Sequence, residues 1–512
     1  MVFVVVVWVA GTGQAAVSVN VPIGDWSYSA VEKLAALGLI ESDMRATRPY
    51  TRLEMARLTL EARNRFDSIR ATAKEAISGE RALIIEAILG RLEREFSADL
   101  GELSGAGPST CIKPLKNVYL SYLYGNHDFK LENTKGEQFG DASNARVGLS
   151  SYGVFFSHLA YYLNPEYRYA KSQFSGESQQ VELFEGYGKL EFFNIELEAG
   201  RDTLWWGPGV HGSLLLTDNA QPLNLIKLSN PDPVVLPWIF KYLGSIKFAA
   251  FWTELGDNGD VHQPELMGLR FDLKPLPLLE IGLARTWMLN GRGSGVKGAT
   301  DLSFNDWMDI LFKGNSEGEL DVDQRAGLDA ILRIPDVDRW LSLMKTFELW
   351  SEFYGEDEAG HLPSKWAYVV GAKFGDLFLT GKTDLILEYA NDVINGKPGL
   401  WYSNQHYPQG YTYKGDILGH NMGSDARDYI VRLEQYLSPD LVLGLDYNRQ
   451  ERGVEAEVEE DINRFDLDFT YQGLARMTVR LGYRFETIDN LNQVKGNDQD
   501  NHIFWTNVVV SF

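Results

Sequence analysis

Ala475-Arg476-Met477-Thr478-Val479-Arg480-Leu481-Gly482-Tyr483-Arg484-Phe485-Glu486 alternates apolar with polar or small residues from end to end. Successive side chains of a strand point to opposite faces, so Met477, Val479, Leu481, Tyr483 and Phe485 share one face and Arg476, Arg480, Arg484 and Glu486 the other. The preceding segment repeats the pattern: Phe465, Leu467, Phe469 and Tyr471 stand against Arg464, Asp466 and Asp468, and Gln472-Gly473 reads as the tight turn between the two. A soluble sandwich produces this alternation with its apolar parity on a packed core. A barrel in hydrocarbon produces it with the apolar parity outward.

Connection lengths separate these readings. Strands of a membrane barrel need about 9–11 residues, and short turns at one end alternate with long loops at the other. Backward from Phe512, long connections fall at 489–500, 451–460, 391–426, 355–364, 289–321, 255–262, 202–221, 169–180 and 126–141. Shorter ones fall between them at 472–473, 438–440, 375–382, 334–345, 275–277, 230–240, 193–194 and 151–153. Nine long loops alternating with eight turns give an all-β transmembrane barrel of about 18 antiparallel strands over residues 117–512. The alternation holds only if Asn224–Ser229 is a strand. Asp466, Asp468, Arg476, Arg480 and Arg484 then face the lumen, where opposite charges on neighbouring strands can form a ladder.

The formal charge of −23, from 48 basic and 71 acidic residues, excludes the basic face that a nucleic-acid partner needs. After the N-terminus no run of 18 apolar residues occurs, which excludes a helical inner-membrane protein. Cys111 is the single cysteine, so an intrachain disulfide is impossible. Neither a Gly-x-Ser-x-Gly elbow nor a His-Glu-x-x-His helix is present, and the eight histidines are scattered. Asp257-Asn258-Gly259-Asp260 lacks the spaced ligands of a calcium loop. No catalytic residue, metal site or cofactor is therefore assigned.

At the N-terminus, the apolar run Val2–Ala10 followed by Gly13-Gln14-Ala15-Ala16 reads as a secretory signal over residues 1–16. Residues 17–104 read as a small helical domain. Val31, Leu34, Ala35 and Leu37 follow helical spacing up to Gly38, and Thr51 with Glu54 forms a capping box for a second helix. Residues 105–116 form a Gly-, Pro- and Ser-containing linker. Within residues 22–63, the words Asp25-Trp26-Ser27-Tyr28, Leu34-Ala35-Ala36-Leu37-Gly38-Leu39-Ile40 and Arg48-Pro49-Tyr50-Thr51-Arg52-Leu53-Glu54-Met55 resemble the S-layer-homology motif. That resemblance implies a periplasmic domain and a peptidoglycan partner; the alternative is a helical base packed under the barrel.

Two loops carry further distinctive words. One runs from Gly200-Arg201-Asp202-Thr203-Leu204-Trp205-Trp206-Gly207-Pro208-Gly209 to Asp218-Asn219-Ala220-Gln221-Pro222. The other holds Gly399-Leu400-Trp401-Tyr402, Tyr411-Thr412-Tyr413-Lys414-Gly415 and Gly419-His420-Asn421-Met422-Gly423-Ser424-Asp425-Ala426. With the N-terminal words, these resemble the capsule assembly Wzi family. The resemblance implies an eighteen-stranded outer-membrane barrel with a helical periplasmic portion, inserted into outer-membrane lipid by the barrel assembly machinery. It further implies a lectin that attaches capsular or exopolysaccharide to the cell surface.

Sugar rings rest their C–H faces on aromatic planes and place their hydroxyls among donors and acceptors. Trp205, Trp206, Trp401, Tyr402, Tyr411 and Tyr413 supply planes; Arg201, Asp202, Asn219, His420, Asn421 and Asp425 supply polar partners, Arg201 with a fork that fits a uronate carboxylate. The alternative for the aromatic residues is a loop folded back as a plug, in which they merely pack. The alternative for the whole barrel is a porin-type channel anchored to peptidoglycan.

Overall fold

The computed structural model describes residues 16–72, 79–105, 110–172, 176–258, 261–293, 322–356 and 362–512, with a few single positions between them. The leader-like run with Gly13, Gln14 and Ala15, and Gly259-Asp260 of the acidic loop, lie outside the described residues. Among those described, eighteen antiparallel strands close into a barrel. They are β1 Cys111–Gly125, β2 Ser143–Phe155, β3 Leu159–Ser172, β4 Gly176–Phe192, β5 Ile195–Asp202, β6 Leu223–Ser229, β7 Ser245–Glu254, β8 Glu265–Leu276 and β9 Leu279–Leu289. There follow β10 Asp323–Ile334, β11 Thr346–Glu356, β12 Trp366–Leu377, β13 Thr383–Asn391, β14 Ala426–Ser438, β15 Leu441–Arg452, β16 Glu460–Tyr471, β17 Met477–Asp489 and β18 Gln499–Ser511. The seam pairs Asn117 with Ser511 and Gly125 with Ile503. The strand on which the alternation depended, β6, pairs with both β5 and β7.

The outward parity is the apolar one. Phe465, Leu481 and Phe504 are each about half exposed, while Arg464 and Arg484 on the inward parity are buried. A soluble protein rarely leaves an apolar patch of more than a few hundred Å² in water, and here the apolar face continues around the wall. At about 25 cal/mol per Å², only hydrocarbon offsets that exposure, and the fold is a transmembrane barrel.

Of the five residues expected to form a ladder in the lumen, Asp466 and Arg484 pair with each other. Arg484 makes a two-bonded pair with its register partner Asp466 (2.7 and 2.6 Å) and also reaches Glu132 at 2.8 Å. Asp468 pairs with Arg432 at 3.1 Å, and Arg480 donates to the Gly24 carbonyl at 3.1 Å. Arg476 does not take part. It lies exposed in the turn before β17 with φ 59°, because that turn spans 472–476 and not two residues.

Other connections differ too. Within the stretch 169–180, read as a long loop, residues 169–172 belong to β3 and 176–180 to β4, which pair out to Ser172 and Gly176. Residues 176–180 are all exposed, so no apolar parity marks them as strand. Ser151-Tyr152-Gly153 lies within β2, and the turn comes at 156–158, where Phe156 and Ser157 adopt positive φ. The turn 230–240 extends to Gly244, and strand β1 begins at Cys111 inside the expected linker, with a register shift between Lys113 and Asn117 beside Pro114.

Four helices form a base at the short-turn end: α1 Trp26–Ala36, α2 Arg52–Thr72, α3 Gly79–Glu95 and α4 Ser97–Leu103. Asp25 caps α1 by accepting the Ser27 N–H, and Gly38 follows its end at φ 75°. Thr51 caps α2 by accepting the Glu54 N–H at 3.1 Å, but Glu54 does not close the capping box. Its carboxylate is held instead by Lys247 of β7 at 2.8 Å. Lys33–Asp384 (2.9 Å), Asp43–Arg333 (2.6 Å) and Arg91–Asp440 (2.6 Å) complete the attachment of base to barrel.

Lys33 and Asp384 are both almost fully buried, and breaking such a pair from one side costs about 3–5 kcal/mol. Lys33→Met is therefore expected to loosen the base, read as faster proteolysis within residues 26–72 while the barrel keeps its heat-modifiable migration. Unchanged proteolysis would remove the pair from the docking interface.

Candidate functional site

Two long loops, 203–222 and 392–425, fold inward and fill the barrel. Loop 203–222 meets the N-terminal segment in a two-stranded antiparallel ribbon, with Thr47 opposite Trp206 and Arg48 opposite Trp205. Its backbone is held by two carboxylates on inward positions of the wall. Glu352 of β11 accepts from the N–H groups of Gly209 (3.0 Å) and Leu214 (2.9 Å). Glu388 of β13 accepts from those of Val210 (2.7 Å) and His211 (2.8 Å), and from Trp350 Nε1 at 2.7 Å.

Loop 392–425 then locks onto the first. Tyr402 donates to the Leu214 carbonyl at 2.7 Å and accepts the His420 N–H at 2.9 Å; Thr217 donates its N–H to the Leu418 carbonyl at 2.8 Å.

The six aromatic side chains expected to carry sugar all lie inside this plug. Trp206 is fully buried, edge-on to Phe251 with centroids 5.1 Å apart, and Trp205 lies beneath the Arg48 guanidinium. Tyr402 and Tyr411 stack at 5.9 Å with planes 4° apart, and the Arg325 guanidinium sits 4.2 Å from the Tyr411 ring centre. Trp401 and Tyr413 are buried in the same cluster. These residues pack loop against loop and present no plane to the rim.

The polar candidates divide. Asp202 is buried and accepts from Asn20 at 2.7 Å; Asp425, at φ 55°, accepts the Glu455 N–H at 3.0 Å. His420 is fully buried against Gly212, whose missing side chain leaves room for the imidazole. Arg201 is partly exposed and donates to Gln221 (3.1 Å), while Asn219 and Asn421 are buried on the cleft floor and donate to the Ile417 carbonyl (3.0 Å) and the His211 carbonyl (3.1 Å).

Above the plug, the inward arm 126–142 divides the long-loop end into two clefts. One, of about 680 Å³, has Asn219, Asn421, Asn492, Gln493, Gln499 and Asn501 on its walls, with Phe129, Arg452 and Lys130 beside them. The other, of about 470 Å³, is walled by Arg146, Arg168, Tyr169, Gln179, Gln180 and Lys414. Carboxamides and guanidinium groups that open onto water give donors and acceptors in the density that a hydroxyl-rich ligand requires. Apart from Asn219 and Asn421, these walls were not singled out in the sequence. The amide-rich run Asn490-Leu491-Asn492-Gln493 and the pair Gln179-Gln180 were the available signals.

Burial holds the His420 pKa down to about 4; the nearby Asp428 carboxylate opposes this and His211 adds to it. An unfolded chain takes up this proton near 6.5 whereas the folded loop refuses it until about 4, so stability falls as pH drops across that window, by up to about 3 kcal/mol. Asp218 works in the opposite sense: burial raises it to about 7 against the pull of Lys135, so its contribution is present in acid and lost as pH rises through 7. The difference between wild-type and His420→Asn thermal unfolding profiles isolates the first term. It is expected to open below about pH 6.5, and superimposable profiles would refute it.

The family model described as capsule assembly protein Wzi matches residues 122–503. The chain belongs to this family. A solved Escherichia coli Wzi structure, described as an outer membrane protein involved in group 1 capsule assembly and a carbohydrate-binding β-barrel, superposes with a TM-score of 0.70 at 17% identity, over 97% of this chain and 100% of that one. At that identity the likeness speaks for the fold. A Klebsiella pneumoniae relative described as an uncharacterized 55.8 kDa protein in the cps region is 26% identical over 189 residues, 36% of this chain. The match spans about a third (35%) of that relative's length. In this Wzi-family barrel, the helical base from one end and two long loops from the other fill the lumen.

Proposed function

We propose that the protein is a non-enzymatic outer-membrane barrel that binds capsular or exopolysaccharide at its long-loop rim and holds it at the cell surface, with the helical base in the periplasm. Family membership supports the role in capsule assembly, and the description of the Escherichia coli Wzi structure supports a carbohydrate ligand. The observation that carries the reading is the contrast between a filled lumen and two open, polar clefts directly above it. A diffusion channel needs the reverse arrangement. Tyr28, Tyr50, Thr51 and Glu54 of the S-layer-homology-like segment are buried against the barrel and within the base, which supports docking over capture of peptidoglycan.

The test uses rim residues that hold no part of the plug. Tyr169→Ala with Gln180→Ala in one cleft, and Asn492→Ala with Gln493→Ala in the other, are each expected to weaken binding of purified acidic capsular polysaccharide. At about 1 kcal/mol per lost contact, the loss is roughly five- to thirtyfold per pair. Unaltered binding by both pairs, with heat-modifiable migration intact, would overturn the assignment of the clefts.

A further inference from the structure

The turn between β6 and β7 is unlike its neighbours. Between Val234 and Leu243 the sequence Val-Val-Leu-Pro-Trp-Ile-Phe-Lys-Tyr-Leu carries a single charge, Lys241. Its second half folds as a short 3-10 helix, Trp238–Leu243. Trp238 is 84%, Ile239 71%, Phe240 53% and Tyr242 74% exposed, and none of the six helix residues is buried. Other short turns place fewer large apolar groups outside: Phe156, Phe193 and Phe378 in three of them, and Trp340, Leu341 and Leu343 between β10 and β11. The turn is also fixed in place. Val234 and Val235 pair with Ile246 and Ser245, and Gly244, at φ 71°, lies so close to β8 that a side chain there would collide with the Lys274 carbonyl.

We propose that Trp238–Leu243 is a membrane-interface anchor, which seats in the headgroup and upper acyl region of the leaflet at the short-turn end. The occupant is lipid because the exposed face of the helix continues the belt that the barrel already turns to hydrocarbon. Phe271 and Leu276 on β8 carry that belt down to the turn. Its chemistry suits this depth: indole and phenol rings have an apolar body and a polar tip that favour the interface. Lys241 can lay its alkyl stem along the same surface and place its ammonium among the phosphates; its Nζ lies 5.3 Å from the Tyr242 ring centre. A peripheral helix of this kind sets the depth of one side of the barrel, because the cluster has no equal on the opposite wall among the described residues.

The test places an environment-sensitive NBD fluorophore at Ile239→Cys in a Cys111→Ser background, with the full chain reconstituted in phosphatidylethanolamine and phosphatidylglycerol vesicles. A second probe at Asn492→Cys serves as the water-exposed control. Probe 239 is expected to emit to the blue of probe 492, to be quenched by lipids that carry a nitroxide near the headgroup, and to resist iodide. Iodide quenching with no response to nitroxide lipid overturns the proposal. So does energy transfer between labelled copies at high dilution in lipid, which assigns the face to a second copy of the chain. In a further arm, Trp238→Ser, Ile239→Ser, Phe240→Ser and Tyr242→Ser together are expected to move a probe at Leu278→Cys toward water. An unmoved probe in a correctly folded barrel also overturns it.

Discussion

Replacing Glu352 and Glu388 by alanine is expected to convert a silent barrel into one that passes ions in long openings across planar bilayers. Both carboxylates are buried on inward positions, and between them they accept four consecutive or near-consecutive backbone N–H groups of loop 203–222. Among the described residues, those four N–H groups have no other acceptor. Stranding a buried N–H costs about 1–3 kcal/mol, so four of them act together against the bonds that Tyr402, Thr217, Asn219 and Asn421 make between the loops. Each 1.4 kcal/mol multiplies the open fraction about tenfold, which puts the expected rise at two orders of magnitude or more. Glu352→Gln with Glu388→Gln keeps one acceptor oxygen on each side chain and should give a smaller rise. Silence of the alanine variant, with the barrel folded, would show that the loops hold themselves without the wall.

Arg270→Met is expected to lower the unfolding free energy in detergent by about 3–5 kcal/mol. Arg270 is completely buried in the lumen, bonded to Asp329 (2.7 and 2.9 Å) and Asp272 (2.7 Å), and its Nε donates to Thr47 of the N-terminal segment at 2.7 Å. The guanidinium crosses from β8 to β10 over β9, and it can do so because the residue beneath is Gly282. A side chain there would fall 2.3 Å from both Arg270 and Asp329. Methionine fills the space but leaves two neighbouring carboxylates without their cation, the costly way to break a buried cluster. Asp329→Asn added to Arg270→Met should recover part of the loss. A midpoint shift worth less than about 1 kcal/mol in guanidinium would place the cluster's stabilisation elsewhere.

The barrel was legible because hydrocarbon imposes a period of two on every strand it touches. Even β6, at seven residues, shows it in Leu223, Leu225 and Lys227 inward against Asn224 and Ile226 outward. The rule fails where lipid stops. The β3–β4 hairpin above the belt is polar on both faces, so the sequence reads as loop there. Arg476 illustrates the other edge: alternation continues past the point at which the backbone has already turned.

The loops that carry the candidate residues were legible, but not which way those loops fold. Trp205, Trp206, Trp401 and Tyr411 stand in loops, and nothing local says whether a loop faces water or folds inward. For loop 203–222 that choice is made by Glu352 and Glu388, more than a hundred residues further along the chain, which meet backbone N–H groups whose presence no side-chain pattern records. Once the aromatic residues are drawn in, the surface left at the rim is made of amides, guanidinium groups and carboxylates, residue types that solvated loops use everywhere and that therefore carry little signal.

The ribbon that joins Thr47 and Arg48 to Trp206 and Trp205 has a mechanical consequence. Tension applied at the mouth of the barrel does not stop at loop 203–222. It passes lengthwise through the lumen into the segment that leads to α2, and is distributed over the ion pairs that seat the helices on the opposite rim. The ribbon's two residue pairs carry that tension in shear, all of them together, so a tug on one side of the membrane is borne by the other.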